Sequence, residues 1–183
     1  MSTLIAASSI IQELERTLQS IKPGEIEALA KRITEAEKIF VAGAGRSGLM
    51  MRAFAMRLMH LGFRAYVVGE TVTPGIAEGD LLLIGSGSGE TKTLTAMASK
   101  AQSIGAAIGV MTIKPDSTLG AAASIRVIIP ASTKDGTSGS SGQPMGTLFE
   151  QSLLLLLDAV VLNLMEQMEL EGAAMYSNHA NLE

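Results

Sequence analysis

The stretch Leu81-Leu82-Leu83-Ile84-Gly85-Ser86-Gly87-Ser88-Gly89-Glu90-Thr91 joins an apolar run to a loop of small, hydroxyl-bearing residues. The next residues, 92–97, are typical of a helix. A strand, a Gly/Ser loop and a helix N-terminus can together hold a phosphate, because glycines let the backbone approach closely and the first-turn N–H groups are unpaired. Ser86, Ser88 and Thr91 add hydroxyl donors. From these residues alone, a Gly/Ser-rich loop without a ligand is the alternative.

A second loop of similar composition, Gly43-Ala44-Gly45-Arg46-Ser47-Gly48, follows the apolar run 39–42 and precedes a predicted helix that ends near Leu61. Loops that leave the C-terminal ends of parallel strands lie at one edge of the sheet, where ligands bind. The two loops are therefore expected to face each other across one site, and Ser47 joins the candidate phosphate donors.

Short apolar segments alternate with helical ones across residues 39–130, with strands predicted at 39–42, 63–68, 81–85, 107–113 and 125–130. Nearly continuous apolar strands indicate a parallel sheet covered by helices on both faces, so the predicted class is α/β. No linker divides the chain, which predicts one domain over 1–183. It comprises N-terminal helices (1–38), the core (39–130), a polar loop (131–145) and a C-terminal helix and tail (146–183).

Composition narrows the function classes. The chain has 183 residues, a net charge of −4, 3% aromatic residues and no cysteine. These values argue against nucleic-acid binding and exclude disulfides and thiolate metal sites. No signal peptide is visible, so a cytoplasmic location is expected. Charged residues interrupt the apolar run 148–170, which favours a buried or interface helix over a membrane span.

The loop at 43–48 also matches the pattern G-x-G-x-x-G, and Glu70 stands 22 residues after Gly48. This is the spacing of the ribose-binding acid in a dinucleotide-binding fold. A dinucleotide fold has no use for the second hydroxyl-rich loop, however, and 183 residues leave little room for a substrate domain. Nicotinamide binding is therefore the less favoured interpretation.

Glu150 is the candidate base. It lies in the first turn of the predicted helix at 146–170, directly after the polar loop. Proton transfer beside a carbonyl needs such a group, although a first-turn glutamate can also merely complement the helix dipole. The chain has two histidines, and no His/Asp/Glu cluster with metal-ligand spacing is apparent.

His60 closes the helix that contains Ser47, and 13 residues at about 1.5 Å each put the two roughly 20 Å apart. His60 is thus either a helix-end histidine or a residue that reaches a neighbouring subunit's site. His179 lies in a tail that is either disordered or a lid over a site.

Several segments together resemble the single-domain sugar isomerase (SIS) family, and within it the 6-phospho-3-hexuloisomerases. The Ser-x-Ser-Gly-Glu-Thr loop is typical of the wider family. The segment Met-Arg-Leu-Met-His-Leu-Gly at 56–62 and the His-Ala-Asn tail at 179–181 are typical of the subgroup. The matching segments are residues 43–48, 56–62, 74–76, 79–82, 86–91, 143–150 and 178–183.

The resemblance implies a three-layer αβα sandwich, flavodoxin-like, with a five-stranded parallel sheet, and a homodimer or homotetramer with sites at subunit contacts. It implies cofactor-free interconversion of D-arabino-3-hexulose 6-phosphate and D-fructose 6-phosphate, a step of the ribulose monophosphate pathway that handles formaldehyde. The functional partner would be 3-hexulose-6-phosphate synthase. Isomerisation of a pentose or heptose phosphate, and a non-catalytic sugar-phosphate sensor, are the alternatives.

Site residues carry over by position. Glu150 would be the base acting through a cis-enediol, and His60 from a neighbouring subunit and His179 would handle the hydroxyl protons. The predicted substrate-binding residues are Gly45, Arg46, Ser47, Ser86, Gly87, Ser88 and Thr91, and no metal or cofactor is expected.

Overall fold

The computed structural model describes residues 2–132 and 141–182. Its helices and strands follow one another along the chain in this order: α1 (Thr3–Gln19), α2 (Pro23–Glu35), β1 (Ile39–Gly43), α3 (Gly45–His60), β2 (Ala65–Val67), β3 (Leu81–Gly85), α4 (Lys92–Ile104), β4 (Ala107–Thr112), α5 (Thr118–Ala122), β5 (Ile125–Ile128), α6 (Thr147–Gln167) and α7 (Gly172–Ser177).

The five strands form one parallel sheet in the order β2-β1-β3-β4-β5. The predicted α/β class with five parallel strands is confirmed. The strand order reverses direction between β1 and β3, and in open parallel sheets the crevice beyond such a pair of strand ends is where ligands bind. Gly43 and Gly85, the last residues of these two strands, are paired in register.

Glycines at these strand ends allow a close approach of helix to strand. A Cβ atom on Gly43 would lie 2.8 Å from the Cα atom of Gly48, in the first turn of α3. A Cβ atom on Gly85 would lie 2.8 Å from the Sδ atom of Met51. Real side chains do not fit at such distances, so tight packing of α3 against β1 and β3 explains these glycines without a dinucleotide.

Two apolar layers cover the sheet. The larger layer packs α2, α3 and α6 against one face, with residues such as Leu29, Phe54 and Leu153 almost fully buried. The smaller layer packs α4 and α5 against the other face, around Leu82, Leu94 and Leu119. This gives the expected three-layer arrangement, in which α1 packs against α6.

Helix α6 is long and apolar enough to cross a membrane by length and composition. Within its most apolar window, 56% of the residues are buried inside the protein. Burial of this kind is typical of a core helix, in agreement with the sequence-based interpretation.

The C-terminal tail contains the short helix α7, where the sequence left disorder and a lid as alternatives. The predicted polar loop at 131–145 falls partly outside the described residues, which resume at Ser141.

Candidate active site

A cavity of about 200 Å³ opens at the C-terminal edge of the sheet, beside the ends of β1 and β3. It collects residues from both glycine-rich loops and from the first turn of α6. The lining residues are Ala44, Ser47, Gly85, Ser86, Gly87, Ser88, Thr91, Leu94, Ile113, Lys114, Gly146, Phe149 and Glu150.

Four predicted phosphate donors lie together in this cavity: Ser47, Ser86, Ser88 and Thr91. Ser47 and Ser86 are buried, whereas Thr91 is half-buried and Ser88 is exposed. Two hydroxyls are therefore shielded from bulk water, and two stand where a ligand would enter. Gly87 also lines the cavity, and a side chain there would press against Phe149 and Ile113 at 3.3 Å.

Hydrogen bonds to neighbouring elements hold the loop at 85–91 in shape. The carbonyl oxygen of Gly87 accepts from the Ile113 N–H at 3.1 Å and from the Thr112 hydroxyl at 3.2 Å. The Glu90 carboxylate accepts from the backbone N–H and the hydroxyl of Thr118, both at 2.7 Å. These two bonds, together with the nearby Lys114 charge, hold the pKa of Glu90 below its usual value. The loop is thus fixed before any ligand arrives, and Glu90 acquires a role that the motif alone did not indicate.

Three helices point their N-termini at the cavity. Ala44, Thr91 and Gly146 are the N-cap residues of α3, α4 and α6, and all three line it. None of these caps makes a side-chain hydrogen bond to its helix. Unpaired first-turn N–H groups and the positive ends of three helix dipoles favour an anion here. The sequence indicated two of these helix ends, and the third arrives through the long loop before α6.

Glu150 is 5% exposed and lies one turn into α6, where its backbone N–H donates to the Gly146 carbonyl at 3.0 Å. The Arg46 Nη1 atom donates to Glu150 Oε2 at 3.2 Å. Arg46 was predicted to bind substrate, but neither it nor Gly45 is among the lining residues. Arg46 instead contacts the candidate base and links the first turn of α3 to that of α6.

Sequence reasoning missed Lys114. This half-buried lysine follows β4 and lines the cavity beside the hydroxyl-bearing loop. Among the thirteen described residues that line the cavity, it alone carries a positive charge. Its position directly after a predicted strand, on the same edge of the sheet, was the signal that could have identified it.

The two histidines lie elsewhere. The rings of His60 and His179 stack with centroids 5.3 Å apart, and Arg57 Nη1 lies 3.3 Å from His60 Nδ1. A separate cavity of about 460 Å³ adjoins them. Helix α3 has 16 residues, so its ends are about 22 Å apart, and His60 lies at the end remote from Ser47. His179 accompanies it, because the Asn178 side chain donates to the His60 carbonyl at 3.0 Å. In this chain the tail therefore packs against the end of α3 and does not cover the glycine-rich loops.

The environment of His60 disfavours its charged form. Burial, the Arg57 guanidinium and the adjacent His179 together hold the pKa of His60 below its usual value.

The Glu70 carboxylate, which a dinucleotide site would need free, forms an ion pair with Arg52.

A comparison with models of known families places residues 32–156 within the SIS domain. This match spans more than half of the chain. The chain belongs to the SIS domain family. The resemblance inferred from the sequence is thereby confirmed, and the match includes both glycine-rich loops and the first turns of α6.

Individual members of the family are similar along their whole length. The 3-hexulose-6-phosphate isomerase of Bacillus subtilis (strain 168) is 50% identical over 185 residues, covering 100% of both chains. A protein of the same name from Mycobacterium gastri is 44% identical over 96% of this chain and 89% of its own.

A crystal structure of a protein from Methanococcus jannaschii, for which the function of 3-hexulose-6-phosphate isomerase is inferred, superposes with a TM-score of 0.86. It is 33% identical, with 97% of this chain and 99% of that one covered.

Proposed function

We propose that this SIS protein is a cofactor-free 3-hexulose-6-phosphate isomerase. It interconverts D-arabino-3-hexulose 6-phosphate and D-fructose 6-phosphate. The observation that carries the proposal is the cavity in which an anion-binding loop and a buried carboxylate, Glu150, face each other. Full-length similarity to the Bacillus subtilis isomerase supports the choice of substrate.

The phosphate binds among the hydroxyls of Ser47, Ser86, Ser88 and Thr91, at the N-termini of α3 and α4. Hydroxyl and backbone N–H donors suit a phosphate, because its oxygens are strong acceptors and the helix dipoles favour its charge. Lys114, on the same wall, supplies a compensating positive charge. This end of the site holds the substrate and takes no part in the proton transfer.

Glu150 acts as the base. Moving a carbonyl between C2 and C3 requires removal of the proton on the carbon beside the carbonyl and its return to the other carbon. The intermediate is a cis-enediol, whose two hydroxyl oxygens lie on one side of the C2–C3 double bond. One carboxylate can serve both carbons, because they are adjacent, and Arg46 orients it through its bond to Oε2.

The hydroxyl protons of the enediol must also move between O2 and O3. We infer that His60 and His179 of a neighbouring subunit perform this transfer in a homodimer or homotetramer. The length of α3 supports this assignment, since it keeps both histidines away from Glu150 of their own chain. Exposed apolar residues on α6, Leu155 and Leu162, support its use in subunit contacts.

This function suits a cytoplasmic enzyme of the ribulose monophosphate pathway. There, 3-hexulose-6-phosphate synthase would be the functional partner that supplies the substrate.

Hydrogen exchange in heavy water tests the reaction directly. Fructose 6-phosphate incubated with the protein should acquire deuterium at C3, as followed by proton NMR. Exchange at C1 instead would indicate an aldose–ketose isomerase, and a panel of pentose and heptose phosphates would then identify its substrate. A protein that binds fructose 6-phosphate but exchanges neither position would be a sensor and not an enzyme.

Mixing inactive variants tests the shared site. His60→Ala and Glu150→Gln proteins, each inactive alone, should regain activity when they are unfolded and refolded together. Mixed oligomers then contain some sites with both native residues. Refolding each variant separately is the control. No recovery in verified mixed oligomers would contradict a site completed by a second subunit.

A further inference from the structure

Glu13, on α1, makes contacts that the proposed reaction does not explain. Its Oε1 atom accepts from the Gly142 N–H at 2.7 Å. Its Oε2 atom accepts from the Ser141 hydroxyl at 2.7 Å and from the Gln143 side chain at 3.1 Å. Burial opposes ionisation of Glu13, but bonds from Gly142, Ser141 and Gln143, together with the Arg16 charge, outweigh it and hold its pKa below the usual value. One carboxylate thus binds three consecutive residues about 130 positions away in the chain.

The bound segment leads directly into the active-site cavity. Gly146, three residues after Gln143, is the N-cap of α6 and lines the cavity, and Glu150 lies one turn further on. Between Gln143 and Gly146, Met145 has φ of +58°, a backbone conformation that persists in a non-glycine residue only when its surroundings enforce it. The Thr147 hydroxyl donates to the Pro144 carbonyl at 2.6 Å, which closes the turn onto α6.

Few residues separate the segment bound by Glu13 from the N-terminus of α6. Any shift of residues 141–143 moves the wall of the cavity that carries the α6 N-terminus and the base. Misplacement of a catalytic group by about 1 Å can reduce turnover by up to about a hundredfold. Glu13 itself lies on a helix outside the matched SIS region, so it is a contribution of this chain's N-terminal helix to the site.

We propose that Glu13 is a positioning residue, which anchors residues 141–143 and thereby sets the position of Gly146 and Glu150. The effect on catalysis rests on the function proposed above, whereas the anchoring of the segment does not. Because α1 also packs on α6, Glu13 could instead contribute only to the stability of the whole fold. That role predicts faster backbone exchange throughout the chain and not only near residues 141–150.

Glu13→Ala tests the proposal, with Glu15→Ala as the matched control. Glu15 lies on the same helix and is exposed, and among the described residues its side chain bonds only within that helix, to Gln19 at 3.3 Å. Glu13→Ala should lower kcat for C3 exchange about tenfold. The dissociation constant for inorganic phosphate should change less than about twofold, because the hydroxyl-bearing loop at 85–91 is untouched. Glu15→Ala should leave both values as in the wild type.

Hydrogen–deuterium exchange of the backbone, read by mass spectrometry, gives a measurement independent of activity. In Glu13→Ala, peptides covering 141–150 should exchange faster, while those covering 81–95 keep their rates. Unchanged exchange at 141–150, or an equal increase throughout the chain, would overturn the positioning role. If the wild-type protein exchanges no C3 hydrogen, but Glu13→Ala still shows faster backbone exchange at 141–150, the proposed function is refuted and the anchoring role of Glu13 is retained.

Discussion

Arg46 and Glu150 join the first turns of two helices that are distant in sequence, through a bond of 3.2 Å between Nη1 and Oε2. The carboxylate is buried and the guanidinium is half exposed. An ionised pair of this kind orients both groups, because a charge-assisted bond is stronger and more directional than a neutral one. The candidate base is thereby held in place on the wall of the cavity.

Replacement of that base should abolish most of the turnover. Glu150→Gln keeps the shape of the side chain but removes its capacity to accept a proton. We expect kcat for C3 exchange to fall by about 10²–10⁴-fold, the usual contribution of a positioned base. Affinity for inorganic phosphate, measured by calorimetry, should change little. Near-normal turnover would remove Glu150 from this role.

Loss of a buried hydroxyl in the hydroxyl-bearing loop should act on binding. Ser86→Ala is expected to weaken fructose 6-phosphate binding by about 0.5–1.5 kcal/mol, or more for a charged acceptor. The Ser86 hydroxyl also accepts from the Gly89 N–H at 3.2 Å, so the melting temperature must be compared as well. Ser99→Ala, at an exposed position of α4, is the control. A defect in turnover with unchanged affinity would contradict the phosphate assignment.

Lys114 should contribute through its charge. Lys114→Met is expected to raise the dissociation constant for fructose 6-phosphate roughly tenfold, the magnitude of one bond to a charged group. Lys92→Met removes the same charge from an exposed residue beside the loop but outside the cavity, and it should have less than about a twofold effect. Equal effects of the two substitutions would mean that only the general electrostatic field matters.

The stability of the folded chain should depend on pH through His60. Its pKa is lowered by burial, by Arg57 and by His179, so the unfolded chain takes up a proton before the folded chain does. The stability contributed by the neutral ring is therefore fully present above about pH 6.5 and is lost as pH falls below that value.

This dependence can be measured as the drop in melting temperature between about pH 7.5 and 5.5. The drop should be smaller in His60→Gln than in the wild type. His179→Gln, which changes an exposed ring, should retain most of it. The same drop in His60→Gln as in the wild type would show that other groups cause the dependence.

Local sequence was sufficient for the sheet and for one half of the site. The apolar runs specify buried parallel strands. The glycines at their ends are required because only small residues fit where α3 meets β1 and β3. Because the C-terminal ends of parallel strands share one edge of the sheet, the sequence also predicts that Ser47 and Ser86 lie in the same site. Both predictions depend on short-range patterns and on topology that allows few alternatives.

The charged contacts around the cavity were decided only by tertiary structure. The pairing of Arg46 with Glu150, the inclusion of Lys114 and the hold of Glu13 on residues 141–143 join positions far apart in the chain. No periodicity encodes such contacts, because they depend on where complete helices come to rest. The sequence by itself thus determined the sheet, the hydroxyl-bearing loop at 85–91 and the separation of His60 from Ser47. Tertiary packing decided which charges meet at the cavity, and that His179 lies beside His60.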